Sequence, residues 1–330
     1  MSKAQHILVH TILLAGALLV CFPFIWMVLT SLKHGSEVLE TGQWLPLPRT
    51  FIEQDQEYGP PKPVEVEVLS EMANFTEVKV LEGRDRNTRI KIEPDRLVHE
   101  RWHVGNYGSA WTKGGGTGQA TFGWYFFNSF LVAVITTLGN VVTSVLAAFA
   151  LTFFEFSGKG MLFTIMLMTM MVPQQVLLIP DYLLVNHLGW INSYPALIVP
   201  WCAGVFGIFL LRQFFMTFPR DLYEAATLDG CSRVGFLFRI VIPLSMPPIL
   251  TISIFTFLAS WNALIWPLVV ATRDDYFTIQ VGLASFVTEA GTRWELLMAA
   301  SAISIIPLIL LYFIAQRHFI EGIATSGLKG

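Results

Sequence analysis

Charged and polar side chains crowd into one short stretch, "PRDLYEAATLDG" (Pro219–Gly230), set in a long apolar tract. Asp221 and Glu224 come early, where carboxylates favour a helix N-terminus, and Pro219 is tolerated in a first helical turn. Asp229 and Gly230 close the stretch, and glycine suits the left-handed conformation that ends a helix. Ala225 and Ala226 leave one side of this short helix nearly bare, so another backbone can approach closely. The following "CSRVGFLFRIVIP" runs back into apolar sequence through Ile240 and stops at Pro243. These residue types suit docking, not bond-making.

No other grouping offers a reaction. Cys21, Cys202 and Cys231 lack metal-ligand spacing and read as packing residues. "TKGGGTGQATFG" (Thr112–Gly123) superficially resembles a phosphate cradle, but no Lys-Ser or Lys-Thr follows its second glycine, and it reads as a linker. "NFT" (Asn74–Thr76) matches a glycosylation sequon, a common chance match. Ser/His/Asp and Cys/His sets are missing, so no enzyme and no resident cofactor or metal is expected. A net charge of −3 without a basic tract points away from nucleic acid.

The elements carrying these residues are written in a bilayer's alphabet. The chain is 54% hydrophobic and only 14% charged, about half the charge of a soluble domain. Six segments reach the roughly 20 residues a spanning helix needs: about 7–32, 127–153, 161–184, 194–216, 246–271 and 296–316. The first is too long for a signal peptide and lacks an A-x-A-like cleavage site. Lys3, Lys159, Arg212, Arg220, Arg233, Arg239, Arg317 and Lys329 fall on one side of these spans, while the short loops opposite hold Arg273 and Arg293. The positive-inside bias therefore puts both termini, and the loop at Pro219–Gly230, in the cytoplasm.

Span interiors lack the Asp, Glu, Lys or Arg relays of ion-driven carriers, so an ion-coupled carrier or channel is disfavoured and the energy source is expected in another subunit. Polar residues remain as candidates to line a path. Gln174 and Gln175 follow Pro173, and Ser253, Thr256 and Ser260 recur on one helical face with Asn262 nearby. Hydrogen bonding between neighbouring helices is the competing reading of these residues.

Residues 49–105 hold 12 of the 24 acidic and nine of the 21 basic residues, so this segment faces water. "VEVEVL" (Val64–Leu69), "TEVKVL" (Thr76–Leu81) and "TRIKI" (Thr88–Ile92) alternate with period two, predicting a three-stranded antiparallel patch. Val64, Val66, Val68, Val78, Val80, Ile90 and Ile92 form its apolar face. Glu65, Glu67, Glu77, Lys79, Arg89 and Lys91 are expected to face water or pair across strands. "EGRDRN" (Glu82–Asn87) reads as a hairpin connection. Such an insertion is either a tethered surface feature or a docking surface for an external partner; a membrane-anchored interaction protein built around it is a further alternative.

The spacing Glu224-Ala225-Ala226, three residues, Gly230, nine residues, Ile240, one residue, Ile242-Pro243 resembles the EAA loop of ABC importer permeases, with Ile242 in place of the usual Leu. "FNSFLVAVITTLGNVVTSVLAAFALTFFEFSGKG" (Phe127–Gly160) and "FTFLASWNALIWPLVV" (Phe255–Val270) strengthen the likeness, which covers about residues 1–48 and 106–330. The chain is similar in particular to the shorter permease of maltose-type carbohydrate importers.

The resemblance implies an all-α polytopic protein with six transmembrane helices in the type I (MetI-like) importer fold, plus the β-rich extracytoplasmic insertion. It implies a first helix at 1–33, an outer loop at 34–122, a five-helix core at 123–316 with the coupling loop near 217–243, and a cytoplasmic tail at 317–330. Glu224, Ala225 and Ala226 would form the surface docked on a cytoplasmic ATPase, and Gly230 the turn that aims it. Two such ATPases, which would bind ATP and Mg, a second permease, a solute-binding protein and the bacterial inner membrane are the implied partners. Ala263 stands where relatives often carry an acidic residue, so no role of that acid transfers. Uncharged spans favour a neutral sugar over a solute such as glycerol phosphate.

Overall fold

A computed structural model describes residues 3–38, 44–54, 62–71, 75–81, 86–93, 97–113, 120–288 and 291–326. Asn74 of the sequon, residues 82–85 of the hairpin connection, residues 114–119 of the linker and the terminal 327–330 lie outside them. The chain divides into two compact units, Met1–Trp111 with Phe286–Ile303, and Thr112–Ser285 with Ser304–Gly330.

In the first unit, α1 (Lys3–Ser31) is exposed over most of its apolar surface, as suits a helix solvated by lipid. Its last carbonyls have no intrahelical donors. The Asn106 amide, on α2 (Gly105–Lys113), donates to the carbonyls of Ser31 and Lys33 at 2.8 Å each and closes that end.

The insertion is a five-stranded antiparallel sheet rather than three-stranded: β1 (Arg49–Gln54), β2 (Lys62–Glu71), β3 (Thr76–Val80), β4 (Arg89–Ile92) and β5 (Leu97–Glu100), in the order β4-β3-β2-β1-β5. The three alternating segments became β2, β3 and β4. β1 escaped notice because Phe51 and Ile52 are apolar neighbours, both buried, which breaks the alternation; β5 is only four residues long.

The apolar face of the sheet is one cluster to which all five strands contribute. Val78 and Val80 are 0% and 2% exposed, packed with Ile52, Val64 and Val66. On the opposite face the register sets Glu67 across from Lys79, Lys79 across from Arg89, and Glu77 across from Lys91.

Of the two expectations for Glu65, facing water or pairing across strands, the second holds. Glu65 is 7% exposed and ion-paired with Arg49, whose Nε also meets Glu37 Oε1 at 2.6 Å. Burial opposes the Arg49 charge, but hydrogen bonds and Coulombic attraction from Glu37 and Glu65 outweigh it and hold the guanidinium above its ordinary value. This unit also holds the two-residue strands β6 (Val287–Thr288) and β7 (Gly291–Thr292).

The second unit is helical: α3 (Phe122–Phe153), α4 (Lys159–Thr169), α5 (Gln174–His187), α6 (Tyr194–Ile198), α7 (Val205–Phe215), α8 (Arg220–Leu228), α9 (Arg233–Phe236), α10 (Ile242–Leu244), α11 (Met246–Trp261), α12 (Ile265–Val270) and α13 (Ile279–Ala284). The long α14 (Trp294–Ser326) follows the β6–β7 hairpin. Among the described residues, Gln5–Ser31, Phe122–Phe153, Tyr194–Phe215 and Trp294–Gln316 are each long and apolar enough to cross a bilayer. Two bent pairs, α4 with α5 (100°) and Arg233–Leu244 with α11 (77°), bring the count to six where each pair is one broken span.

The segment expected at about 161–184 is bent within its length, and the one expected at about 246–271 follows a bend at its start. After α4 the backbone tightens into i→i−3 bonds (Met170 to Leu167, Met171 to Met168, Val172 to Thr169), and Pro173 then offers no donor. The fifth segment bends at Ser245, between Pro243 and the Pro247-Pro248 pair, and stops at Trp261 instead of running to 271.

Helix α3 makes the break between α6 and α7 tolerable. Asn140 Nδ2 donates to the Trp201 carbonyl at 3.2 Å and Thr143 Oγ1 to that of Cys202 at 2.6 Å, satisfying backbone groups that lipid cannot. Close approach depends on Gly139, Gly204 and Gly207, which face Cys202, Asn140 and Ser144. A Gly207→Val substitution places carbon against the buried Ser144 side chain, so the neighbouring side chain or helix must shift. We expect about 1–3 kcal/mol of destabilisation from overpacking, read as a lower Tm in detergent, with Gly16→Val on the open α1 surface unchanged as the control.

Candidate coupling loop and translocation path

Nine residues make a marginal helix on their own, so α8 owes its position to its inner face. Ala226, 8% exposed, and the half-buried Leu222 and Tyr223 pack with Phe149, Phe153, Leu211, Phe215 and Phe236. Pro219 stands one residue before the helix, with extended backbone. The C-terminal end is a Schellman cap: Cys231 N–H donates to the Ala226 carbonyl at 2.9 Å and Gly230 N–H to that of Thr227 at 3.1 Å. Gly230 adopts φ +77°, with open space where a Cβ would lie. Ser232 Oγ then accepts from Gly235 N–H at 3.1 Å and starts α9.

The sequence-derived residues divide by face. Glu224, Ala225, Asp229 and Gly230 are exposed. Ala226 is not part of that surface; it is turned into the chain's own core, where a larger side chain would push the helix outward. Ile240 lies half-buried in a π-helical turn, Leu237–Val241, and Pro243 follows in α10 just before the 77° bend. Thus Ile240 and Pro243 shape the route from the loop to α11.

Leu228 was missed. It is 89% exposed at the tip of α8. Helical rotation of about 100° per residue sets it well away from Leu222, Tyr223 and Ala226, so a helical projection alone marks it as an outward apolar residue.

Basic side chains close the neighbouring end of α3. Lys159 Nζ donates to the carbonyls of Thr152 (3.1 Å) and Phe154 (2.9 Å), and Arg212 Nε donates to that of Leu151 at 3.4 Å. Cations at a helix C-terminus favour its dipole.

The path candidates sit on separate elements. Gln174 and Gln175 are exposed at the start of α5, directly after the 100° bend. Ser253, Thr256 and Ser260 are half-buried on α11. Ser253 Oγ donates to the Ile249 carbonyl at 2.8 Å and Asn262 Nδ2 to that of Leu258 at 2.9 Å, so both bond within their own helix and not across to a neighbour. Asn262 itself is exposed at the break between α11 and α12.

Residues 139–325 match the family described as "Binding-protein-dependent transport system inner membrane component". The chain is 37% identical over 247 residues to the probable ABC transporter permease protein YurM of Bacillus subtilis, covering 74% of this chain and 80% of that one. It is 34% identical over 206 residues to the arabinooligosaccharides transport system permease protein AraQ of Halalkalibacterium halodurans (62% and 74% covered). It is also 34% identical over 242 residues to the sn-glycerol-3-phosphate transport system permease protein UgpE of Pectobacterium atrosepticum (73% and 86% covered).

A solved bacterial ABC transporter involved in the import of the acidic polysaccharide alginate shares the fold, with a TM-score of 0.70 at 20% identity over 97% of this chain and 99% of that one. Apolar helices in spanning number, a capped loop between the fourth and fifth of them, and these matches converge on one assignment. The chain belongs to the binding-protein-dependent inner membrane components, the multi-pass permease subunits of ABC importers.

Proposed function

We propose that this chain forms half of the translocation path for a neutral sugar or oligosaccharide. The other half is a second permease subunit; two copies of a cytoplasmic ATPase bind ATP and Mg and supply the energy, and an extracytoplasmic solute-binding protein delivers the sugar. Both termini and α8 face the cytoplasm. The observation that carries this reading is the division of α8: its inner face belongs to the permease core, while Glu224, Ala225, Leu228 and Asp229 stand outward with an apolar side chain at the tip.

The relative named for arabinooligosaccharides supports a carbohydrate. The relative named for sn-glycerol-3-phosphate favours a phosphorylated solute instead. A phosphate calls for Arg or Lys in the path, whereas α11 offers Ser253, Thr256 and Ser260.

Leu228→Asp tests the docking. Burial of a leucine is worth about 1.5–3 kcal/mol, or roughly tenfold to a hundredfold in affinity. We expect the ATPase to dissociate from the purified variant complex by at least that lower factor, with membrane insertion unchanged because the side chain is 89% exposed. Undiminished co-purification of the ATPase would sink the docking assignment.

A further inference from the structure

We propose that Tyr223 is the positioning residue that carries movement of α8 into the membrane helices, acting through an aromatic triad with Phe153 and Phe236. This inference rests on the docking of α8 proposed above and concerns what happens on its opposite face.

The Tyr223 ring centre lies 5.8 Å from that of Phe153 and 5.0 Å from that of Phe236, and those two lie 5.3 Å apart. Each ring therefore touches both others. Each also belongs to a different element. Tyr223 is on α8, Phe153 is the last residue of α3, and Phe236 is the last of α9. Beyond Phe236 the chain runs through the π-helical turn and Pro243 into α11. One side chain of the loop thus contacts the ends of two routes into the bilayer.

The triad is suited to transmit displacement rather than absorb it. Phe236 is 1% exposed, and Phe149 backs Phe153 at 5.0 Å. Close-packed interiors pass strain on, and aromatic rings have few internal rotations with which to yield. The neighbouring Leu222 and Ala226 help to seat the helix, but neither offers a flat face in contact with two other rings.

The test uses the complete importer in nanodiscs, reading ATP turnover with and without its solute-binding protein. In the wild type the binding protein is expected to raise turnover. Tyr223→Leu keeps the site apolar while removing the ring. It is expected to retain the bound ATPase subunits yet lose the stimulation ratio by about fivefold, within the range of coupling changes for single network residues. Tyr223→Phe should preserve the ratio. Phe153→Leu, altered at the membrane end, should reproduce the loss and also serves if Tyr223→Leu fails to insert. Combined with Tyr223→Leu it should add little further loss, because residues acting through one contact are not additive.

An unchanged ratio in Tyr223→Leu, an equal loss in Tyr223→Phe, or additive effects of the two leucine substitutions would overturn the proposal. Loss of the ATPase from Tyr223→Leu would do so too, by reducing Tyr223 to an anchor. Failure of the docking assignment itself registers separately, in the Leu228 variant, where the triad is intact.

Discussion

A Gly230→Pro variant is expected to reach the membrane in normal amounts and to lose essentially all uptake. Proline locks φ near −65°, whereas Gly230 holds +77°, so the substitution cannot be accommodated without rebuilding the turn. It also deletes the N–H that donates to the Thr227 carbonyl, half of the Schellman cap. The cost is about 3 kcal/mol or more, concentrated where α8 is aimed and away from the helices that decide insertion.

Gly230→Ala meets nothing within 4 Å and bears only the left-handed backbone penalty, about 1–2 kcal/mol. Gly230→Asn tolerates that conformation better. Uptake and binding-protein-stimulated ATP turnover should therefore rank Gly, Asn, Ala, Pro. Glu224→Lys, which inverts charge on the outward face while leaving the cap intact, should likewise uncouple. Normal stimulated turnover in the Gly230→Pro or Glu224→Lys importer would overturn the role of this loop.

The second large effect lies in the insertion. Arg49→Ala leaves Glu37 and Glu65 buried without their cation. Glu37 Oε2 already has no hydrogen-bond partner among the described residues. Removing one member of a buried ionic cluster costs about 3–5 kcal/mol, because the remaining charges stay desolvated and now repel each other. We expect rapid proteolytic cleavage within residues 49–100 of the variant, while the helices of the second unit remain protected.

Replacing all three residues, with Arg49→Met, Glu37→Gln and Glu65→Gln together, should restore much of the resistance, since well-packed neutral groups can substitute for a buried ionic cluster. Equal protease resistance of wild type and Arg49→Ala would show that the cluster contributes little to the sheet.

Much of this follows from local rules. Span number is legible because a bilayer demands about 20 apolar residues per crossing, and the glycine at the end of α8 because a left-handed cap tolerates little else. The strands β2, β3 and β4 announced themselves through strict alternation of valines and isoleucines with charged residues. That the loop forms a short helix closed by a glycine was legible from sequence, since the early Asp221 and Glu224 and the closing Gly230 bracket it.

What only the tertiary structure decided is direction. Ala225 and Ala226 are chemically identical neighbours, yet one faces outward and the other is buried against α3, α7 and α9. Glu65 reads like Glu67 in the strand pattern, yet only Glu65 meets an arginine from β1 and leaves the water. Pro173 and Pro243 mark places where a helix can bend, but the 100° and 77° angles are read only from the structure. "PRDLYEAATLDG" thus declares a helix, its cap and its charge by itself, while the packing around Tyr223 and Ala226 decides which face stays outward. Local rules act through backbone hydrogen bonds and solvent a few residues apart, whereas facing is settled by which distant side chains fill the space alongside.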